Sequence, residues 1–292
     1  MKVRPIPSRG YVLLFTCCII LALLTVTLSC SDDPTTPEQI KSNIVLVWGH
    51  CGEGQCDVPA RNADFVAVTG SNNHSMGLKS DGTIVAWGDN SSGQCNVPAP
   101  NEDFVAIAAG GECVPSPPCT GLCHSLGLKA DSTIVAWGDN SSNQCNVPAP
   151  NADFVSIGAK GYHSLGLKSD GTIVAWGDNS DGQCDVPAQN ADFVAIAAGR
   201  FHCMGIKSNG TIVAWGRNDY GQCDVPPALN DNFVAVAAGR FHSLGLKADS
   251  TIVAWGLNGS DGRIEVPAPN ADFIAIATGC LLYTSPSPRD RS

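Results

Sequence analysis

One histidine position recurs along the chain, at His74, His124, His163, His202 and His242. A hydroxyl or thiol follows it directly, at Ser75, Ser125, Ser164, Cys203 and Ser243. A His beside a Ser or Cys is the raw material of nucleophilic catalysis, in which imidazole takes the proton of the attacking group and a carboxylate orients the ring. That chemistry needs one convergent cluster. Here every copy carries the same pair, so the histidine reads as a structural residue that hydrogen-bonds between neighbouring strands or turns. A cysteine also recurs, at Cys56, Cys95, Cys145, Cys184 and Cys223, and Ile264 replaces it in a sixth copy. A position that accepts Cys or Ile is a small apolar slot, and equivalent points of successive units lie too far apart for a disulfide or a shared metal.

Asp178, Asn179 and Asp181, in WGDNSDG, faintly resemble a calcium loop. The sister copies read DNSSG, DNSSN, RNDYG and LNGSDG, so the ligand set is not kept and turn chemistry explains it. Residues 111–123, GECVPSPPCTGLC, are longer than the matching stretch of other units and bring Cys113, Cys119 and Cys123 from outside the pattern. In an oxidising compartment a disulfide involving Cys113 is expected to staple this loop, leaving one thiol over. Zinc held by the three thiols and His124 is the alternative. A stapled, Pro-rich loop suits recognition. Just before the repeated His stand Tyr162, Arg200-Phe201 and Arg240-Phe241. Arg and aromatic side chains anchor interfaces, so these five are the expected partner-facing residues. The other reading has the rings filling gaps between units. No catalytic residue, metal site or cofactor is expected.

The elements that must position these residues are repeats. All six tryptophans fall in IVAWG-like segments, at Trp48, Trp87, Trp137, Trp176, Trp215 and Trp255. The unit reads DFVSIGAKGYHSLGLKSDGTIVAWGDNSDGQCDVPAQN over residues 153–190. It parses into four short strands: FVSIGA, HSLGLK, TIVAWG and a short QCDVP. Asp-Gly or Asn-Gly between the second and third supplies the positive φ angles of a hairpin turn, and Asp131-Ser132 and Asp249-Ser250 replace it in two copies. The closing Val-Pro fits an edge strand. Four-stranded units of about 40 residues bury their faces only against each other. Ala-rich first strands suit a wall that tapers toward an axis. Residues 43–48 supply a third strand without its first two, as in rings closed by the opposite terminus. The expected fold is all-β: a β-propeller of four-stranded blades.

HSLGLKSDGTIVAWGDNSDGQC resembles the repeat of the regulator of chromosome condensation (RCC1) family in its short bacterial form, and the resemblance runs from Ile44 to Gly279. It implies a propeller, commonly of seven blades against the six units visible here. It also implies protein–protein binding rather than catalysis. The eukaryotic namesake serves a small GTPase on chromatin, whereas a secreted bacterial member inhibits β-lactamases.

Compartment follows from the N-terminus. Lys2, Arg4 and Arg9 precede the apolar run Tyr11–Leu28, which ends in Thr-Leu-Ser-Cys at Cys30. This resembles a bacterial lipoprotein signal, cut before Cys30 and lipidated on it, with an ordinary cleaved signal or a retained anchor as alternatives. Asp32 and Asp33 hint at surface export. The expected layout is a signal over 1–29, a polar tether over 30–42 and a propeller over 43–279. Residues 280–292, CLLYTSPSPRDRS, read as a translated sequencing-library adapter. With 17 Lys and Arg against 27 Asp and Glu, net charge −10, the surface repels phosphate backbones. Nucleic acid is excluded, and contact with lipid is expected only through Cys30. The expectation is a scaffold on the bacterial outer membrane or cell surface that binds a protein partner of the envelope. The alternatives are an envelope lyase or hydrolase, or an inhibitor of an envelope or secreted enzyme.

Overall fold

The computed structural model describes residues 53–55, 57–59, 63–112, 122–259 and 264–278. Strands of these residues form five antiparallel sheets, each of three consecutive strands in chain order. The first sheet holds β1 (Phe65–Gly70), β2 (His74–Lys79) and β3 (Ile84–Gly88), and the second β4 (Phe104–Glu112), β5 (Leu122–Lys129) and β6 (Ile134–Gly138). The third holds β7 (Phe154–Lys160), β8 (His163–Lys168) and β9 (Ile173–Gly177). The fourth holds β10 (Phe193–Ala198), β11 (His202–Lys207) and β12 (Ile212–Gly216), and the fifth β13 (Phe233–Ala238), β14 (His242–Lys247) and β15 (Ile252–Gly256). First strands of successive sheets lie side by side, β1 to β4 to β7 to β10 to β13, and the sheets radiate from this wall.

Each first strand opens on an Asp or Asn with positive φ, from Asp64 (66°) to Asp272 (64°). Asp and Asn tolerate this left-handed conformation best among residues with a side chain, which accounts for the recurring Asp-Phe or Asn-Phe. A register shift follows the Phe, turning its ring inward while the next residue faces solvent. The ring needs room in the neighbouring strand: a Cβ on Gly166 would sit 2.4 Å from Phe154 Cε1. That is why the second strand reads Leu-Gly-Leu.

The core lies between sheets. Leu126, Leu128 and Ile134 of the second pack on Phe154, Ile157, Ala159 and Trp176 of the third, and the same arrangement recurs with Leu165, Leu167 and Ile173 against Phe193, Ile196 and Trp215. No unit owns a core, so each stabilises only its neighbours.

Two expectations need correction. The fourth strand does not form among the described residues. After β3 the chain makes tight turns instead, with Gly93 N donating to Asn90 O and Asn96 N to Gly93 O. Cys95 N is taken by Asn90 Oδ1 at 2.8 Å. Those groups are unavailable to a ladder, and Pro98 has no N–H to give. The segment instead crosses to the next sheet. The hairpin turn also differs from expectation. Only Gly82 has positive φ (81°), and Gly82 N bonds Lys79 O while Lys79 N bonds Thr83 O. This is a type I turn closed by one left-handed residue, and Asp81 holds it through Thr83 N (2.9 Å) and Oγ1 (2.7 Å). Ser132 (67°) and Ser250 (65°) adopt the left-handed conformation where the sister turns use Gly.

Trp48, residues 43–48, Cys56, the residues from Met1 to Gly52 and those from Gly279 to Ser292 lie outside the described residues. The last first-strand segment, 273–278, pairs in no sheet among them, although Phe273 N still donates to Ser250 O as its counterparts do to the preceding turn.

Candidate partner-binding face

The repeated polar residues assemble into one device between blades. Gln94, on the loop leaving the first sheet, offers its backbone carbonyl to Trp137 Nε1 (2.9 Å) and Ser125 Oγ (2.9 Å) of the second. Ser125 Oγ in turn meets His74 Nε2 at 2.9 Å. Because the hydroxyl hydrogen is given to Gln94, the imidazole donates at Nε2. The pattern repeats with His124 and Ser164 (3.0 Å), His163 and Cys203 Sγ (3.1 Å), and His202 and Ser243 (2.8 Å). These four histidines are fully buried. Burial pulls His74 and His163 down to about 4 and His124 and His202 down to about 3. Nearby charge adds at His202, from Lys160. Each His–Ser or His–Cys pair joins two blades rather than one active site.

Asn101, Asn151, Asn190, Asn230 and Asn270 do comparable work. Asn151 accepts from Ile134 N and donates to Ile134 O, both at 2.8 Å, acting as a backbone substitute at the start of β6. The Asp and Asn of the calcium-like loop are occupied by the turn itself: Asp178 takes Ser180 Oγ (3.0 Å) and Gln183 Nε2 (2.9 Å), and Asn179 takes Cys184 N (2.8 Å). The recurring cysteines Cys95, Cys145, Cys184 and Cys223 are half-buried, with Cys184 Sγ 3.2 Å from Asp178 O. Cys123 is a buried free thiol 3.6 Å from Ser71 Oγ, its pKa pushed to about 12 by burial. Cys113 and Cys119 lie outside the described residues, as does Cys30.

Four of the five expected partner-facing residues come together. Phe201 and Phe241, one blade apart, stack with centroids 5.6 Å apart and planes 23° from parallel. Arg200 lies 4.3 Å over the Phe201 ring and Arg240 4.9 Å over Phe241. Two residues that sequence reasoning missed complete the stack. Arg217 reaches both rings, at 5.3 and 6.0 Å, and Tyr220 packs 4.8 Å from Phe241. Both belong to RNDYG, so their signal was the departure of that loop from DNSS. Arg217 also pairs with Asp219 (2.6 Å) and Asp181 (3.7 Å), and Tyr220 is 43% exposed. Tyr162 stands at the equivalent point of the third sheet, outside the stack, with its phenol pKa raised by burial.

The stack sits on the rim formed by the turns after the first strands and the loops after the third strands. The longer second hairpin rises on the same rim, paired as far as Glu112 and Leu122, and Gly111 bridges to Gly161 of the next blade. The opposite rim carries Lys79, Lys129, Lys168, Lys207 and Lys247, each laid over the Phe of its own sheet at 4.0–5.5 Å.

Radiating three-stranded sheets, each locked to the next, define a β-propeller. The repeats then specify which kind: residues 65–94, 154–183, 193–222 and 233–262 each match the regulator of chromosome condensation (RCC1) repeat. Among solved structures, the ectodomain of the Physcomitrella patens receptor kinase CR4 is 26% identical with a TM-score of 0.61, over 75% of this chain. The chain spans 58% of that ectodomain. The ectodomain of Arabidopsis thaliana receptor kinase ACR4 is 24% identical with a TM-score of 0.62, over 82% of each chain. Prp20p of Saccharomyces cerevisiae is 20% identical with a TM-score of 0.53, over 73% of this chain and 61% of its own. No curated protein sequence matches the chain.

Proposed function

We propose that this propeller is a binding or scaffold module with no turnover of its own. It is lipid-anchored at Cys30 on the bacterial outer membrane or cell surface, and it holds a protein partner of the envelope against one rim. The observation that carries this reading is the Arg200–Phe201–Arg217–Tyr220–Arg240–Phe241 stack. Guanidinium groups laid over aromatic rings present a large, stiff, mixed surface at low cost in side-chain entropy. The absence of turnover is supported by the burial of every described His–Ser and His–Cys pair, where substrate has no access and the imidazole stays neutral. Protein binding also has a precedent on this fold, in the binding of Prp20p to Gsp1p and histones.

Photo-crosslinking residues introduced at Tyr220 and, on the opposite rim, at Asp170 test the reading in cells. One dominant protein adduct from Tyr220 and none from Asp170 is expected. Equal adducts from both rims, or none from Tyr220, overturn it. A hydrolase or lyase activity of the purified chain that vanishes on altering a single blade would favour the enzyme instead. For the anchor, labelled fatty acid should enter the native chain and not Cys30→Ala.

A further inference from the structure

The rim is divided by charge, and the division comes at the expense of a buried hydrogen bond. In the first three blades the loop after the Trp strand opens on Asp89, Asp139 or Asp178, and each carboxylate accepts from the Nε2 of the buried Gln five residues on. In the fourth blade that Asp is replaced by Arg217. Gln222 is fully buried like its sisters, and its Oε1 still takes Tyr220 N at 2.9 Å. Its Nε2 has no hydrogen-bond partner among the described residues. A buried amide donor left unpaired works against folding, and departures of this kind collect where function demands them.

The substitution brings a guanidinium to the centre of the aromatic stack. All three arginines of the described residues, Arg200, Arg217 and Arg240, stand in this sector of an otherwise acidic chain of net charge −10. The described lysines are held elsewhere. Five lie over phenylalanines on the far rim, and the sixth, Lys160, is buried with its ammonium on Ala238 O at 2.9 Å. At this position blades one to three thus present aspartates and blade five Leu257, whereas blade four presents Arg217, paired with Asp219 and Asp181 and edged by Phe and Tyr.

We infer that the rim of blades four and five recognises a carboxylate-rich segment of a partner protein, with Arg217 as its central specificity residue. This rests on the protein-binding reading above and specifies the partner's chemistry. Guanidinium donors match carboxylates in fork geometry, and the flanking rings exclude water from the pairing. The acidic sector beside it repels the same segment and so fixes its orientation.

The test pans random twelve-residue displayed peptides against the full chain and against Arg217→Asp, which restores the motif of the sister blades and gives Gln222 Nε2 an acceptor. The native chain should enrich peptides with an excess of Asp and Glu beside an aromatic residue. Arg217→Asp should lose at least about tenfold of that enrichment while its urea midpoint stays level or rises. Arg217→Asn, which keeps an acceptor without a negative charge, should behave likewise. Enriched peptides without a carboxylate excess, unchanged enrichment on Arg217→Asp, or a lower urea midpoint for both variants would each overturn the proposal. So would binding of phosphatidylglycerol vesicles or polyphosphate with no binding of acidic peptides. If non-acidic peptides bind and are lost on Phe241→Ala, the rim remains a protein-binding face and only the carboxylate chemistry falls.

Discussion

His124 Nε2 of the second blade lies 3.0 Å from Ser164 Oγ of the third, and Ser164 passes its own hydrogen to the Gln144 carbonyl at 2.9 Å. Trp176 Nε1 meets that same carbonyl at 2.9 Å. Two side chains of the third blade therefore converge on a loop that leaves the second blade for the third, and one of them also holds His124 of the second. The loop, rather than a fourth strand, fastens the pair.

Removing Ser164 by substitution to Ala leaves His124 Nε2–H buried without an acceptor. The expected loss is about 1–3 kcal/mol of unfolding free energy, read from urea denaturation. Cys203→Ser, which gives His163 an oxygen in place of sulfur, should leave stability level or raise it. A Ser164→Ala chain as stable as the native one would mean the histidine finds another partner.

Four buried imidazoles make the fold acid-labile within a definable window. Their folded values of about 3 to 4 lie below the unfolded value of 6.5, chiefly through burial. Between those limits the unfolded chain binds more protons, so the stability is complete above 6.5 and is lost as pH falls through the window. The turn carboxylates Asp81, Asp131, Asp170 and Asp249 are held below 3.8, first by the hydroxyl of the Thr two residues on, so their contribution disappears only at lower pH. Urea midpoints should be level from pH 7 to 8 and decline between about 6.5 and 4. A decline confined to pH below about 4 would place the lability in the carboxylates instead.

The second and fifth hairpins carry Ser132 and Ser250 at φ of 67° and 65°, where their sisters use Gly82, Gly171 and Gly210. An L-residue there is strained by about 1–2 kcal/mol, against the 0.5–1 kcal/mol of extra backbone entropy that Gly loses on folding. Space is tight as well: a Cβ on Gly171 would stand 3.0 Å from Asp192 N. Ser132→Gly and Ser250→Gly should each stabilise by about 0.5–1 kcal/mol, measured by thermal or urea unfolding. A loss of stability would show that the serine makes a compensating contact.

Much of this was legible in the sequence, because repetition multiplies each weak signal. The Trp, His and Asp-Gly positions marked three strands and a turn per unit, and Arg200, Phe201, Arg240 and Phe241 stood out as departures before the histidine. The fourth strand misled because QCDVP has a strand's length and composition. What decides it is the Asn side chain that takes the Cys N–H, as Asn179 does at Cys184, and side-chain competition of that kind leaves no periodicity to read. Arg217 was hidden for a related reason. RNDYG registered only as a lost calcium pattern, while its meaning depends on Phe201 and Phe241, which meet Arg217 through contacts within and between blades.

The recurring cysteines yield the last prediction. Cys145, Cys184 and Cys223 are pushed to about 12 and Cys95 to about 11, by burial first and then by nearby carboxylates. Each sulfur also rests on a backbone oxygen, as Cys145 does on Asp139 O at 3.1 Å. Only the thiolate attacks an alkylating reagent, and a free thiol ionises near 8.5. At pH 8 the folded chain should therefore alkylate at these four positions at least about a hundredfold more slowly than the urea-unfolded chain, resolved site by site by mass spectrometry. Cys203, whose thiol pKa is raised further by complete burial, should be the slowest. A rate at Cys184 matching that of the unfolded chain would show the loop opening far more often than its bonds to Asp178 and Asn179 allow.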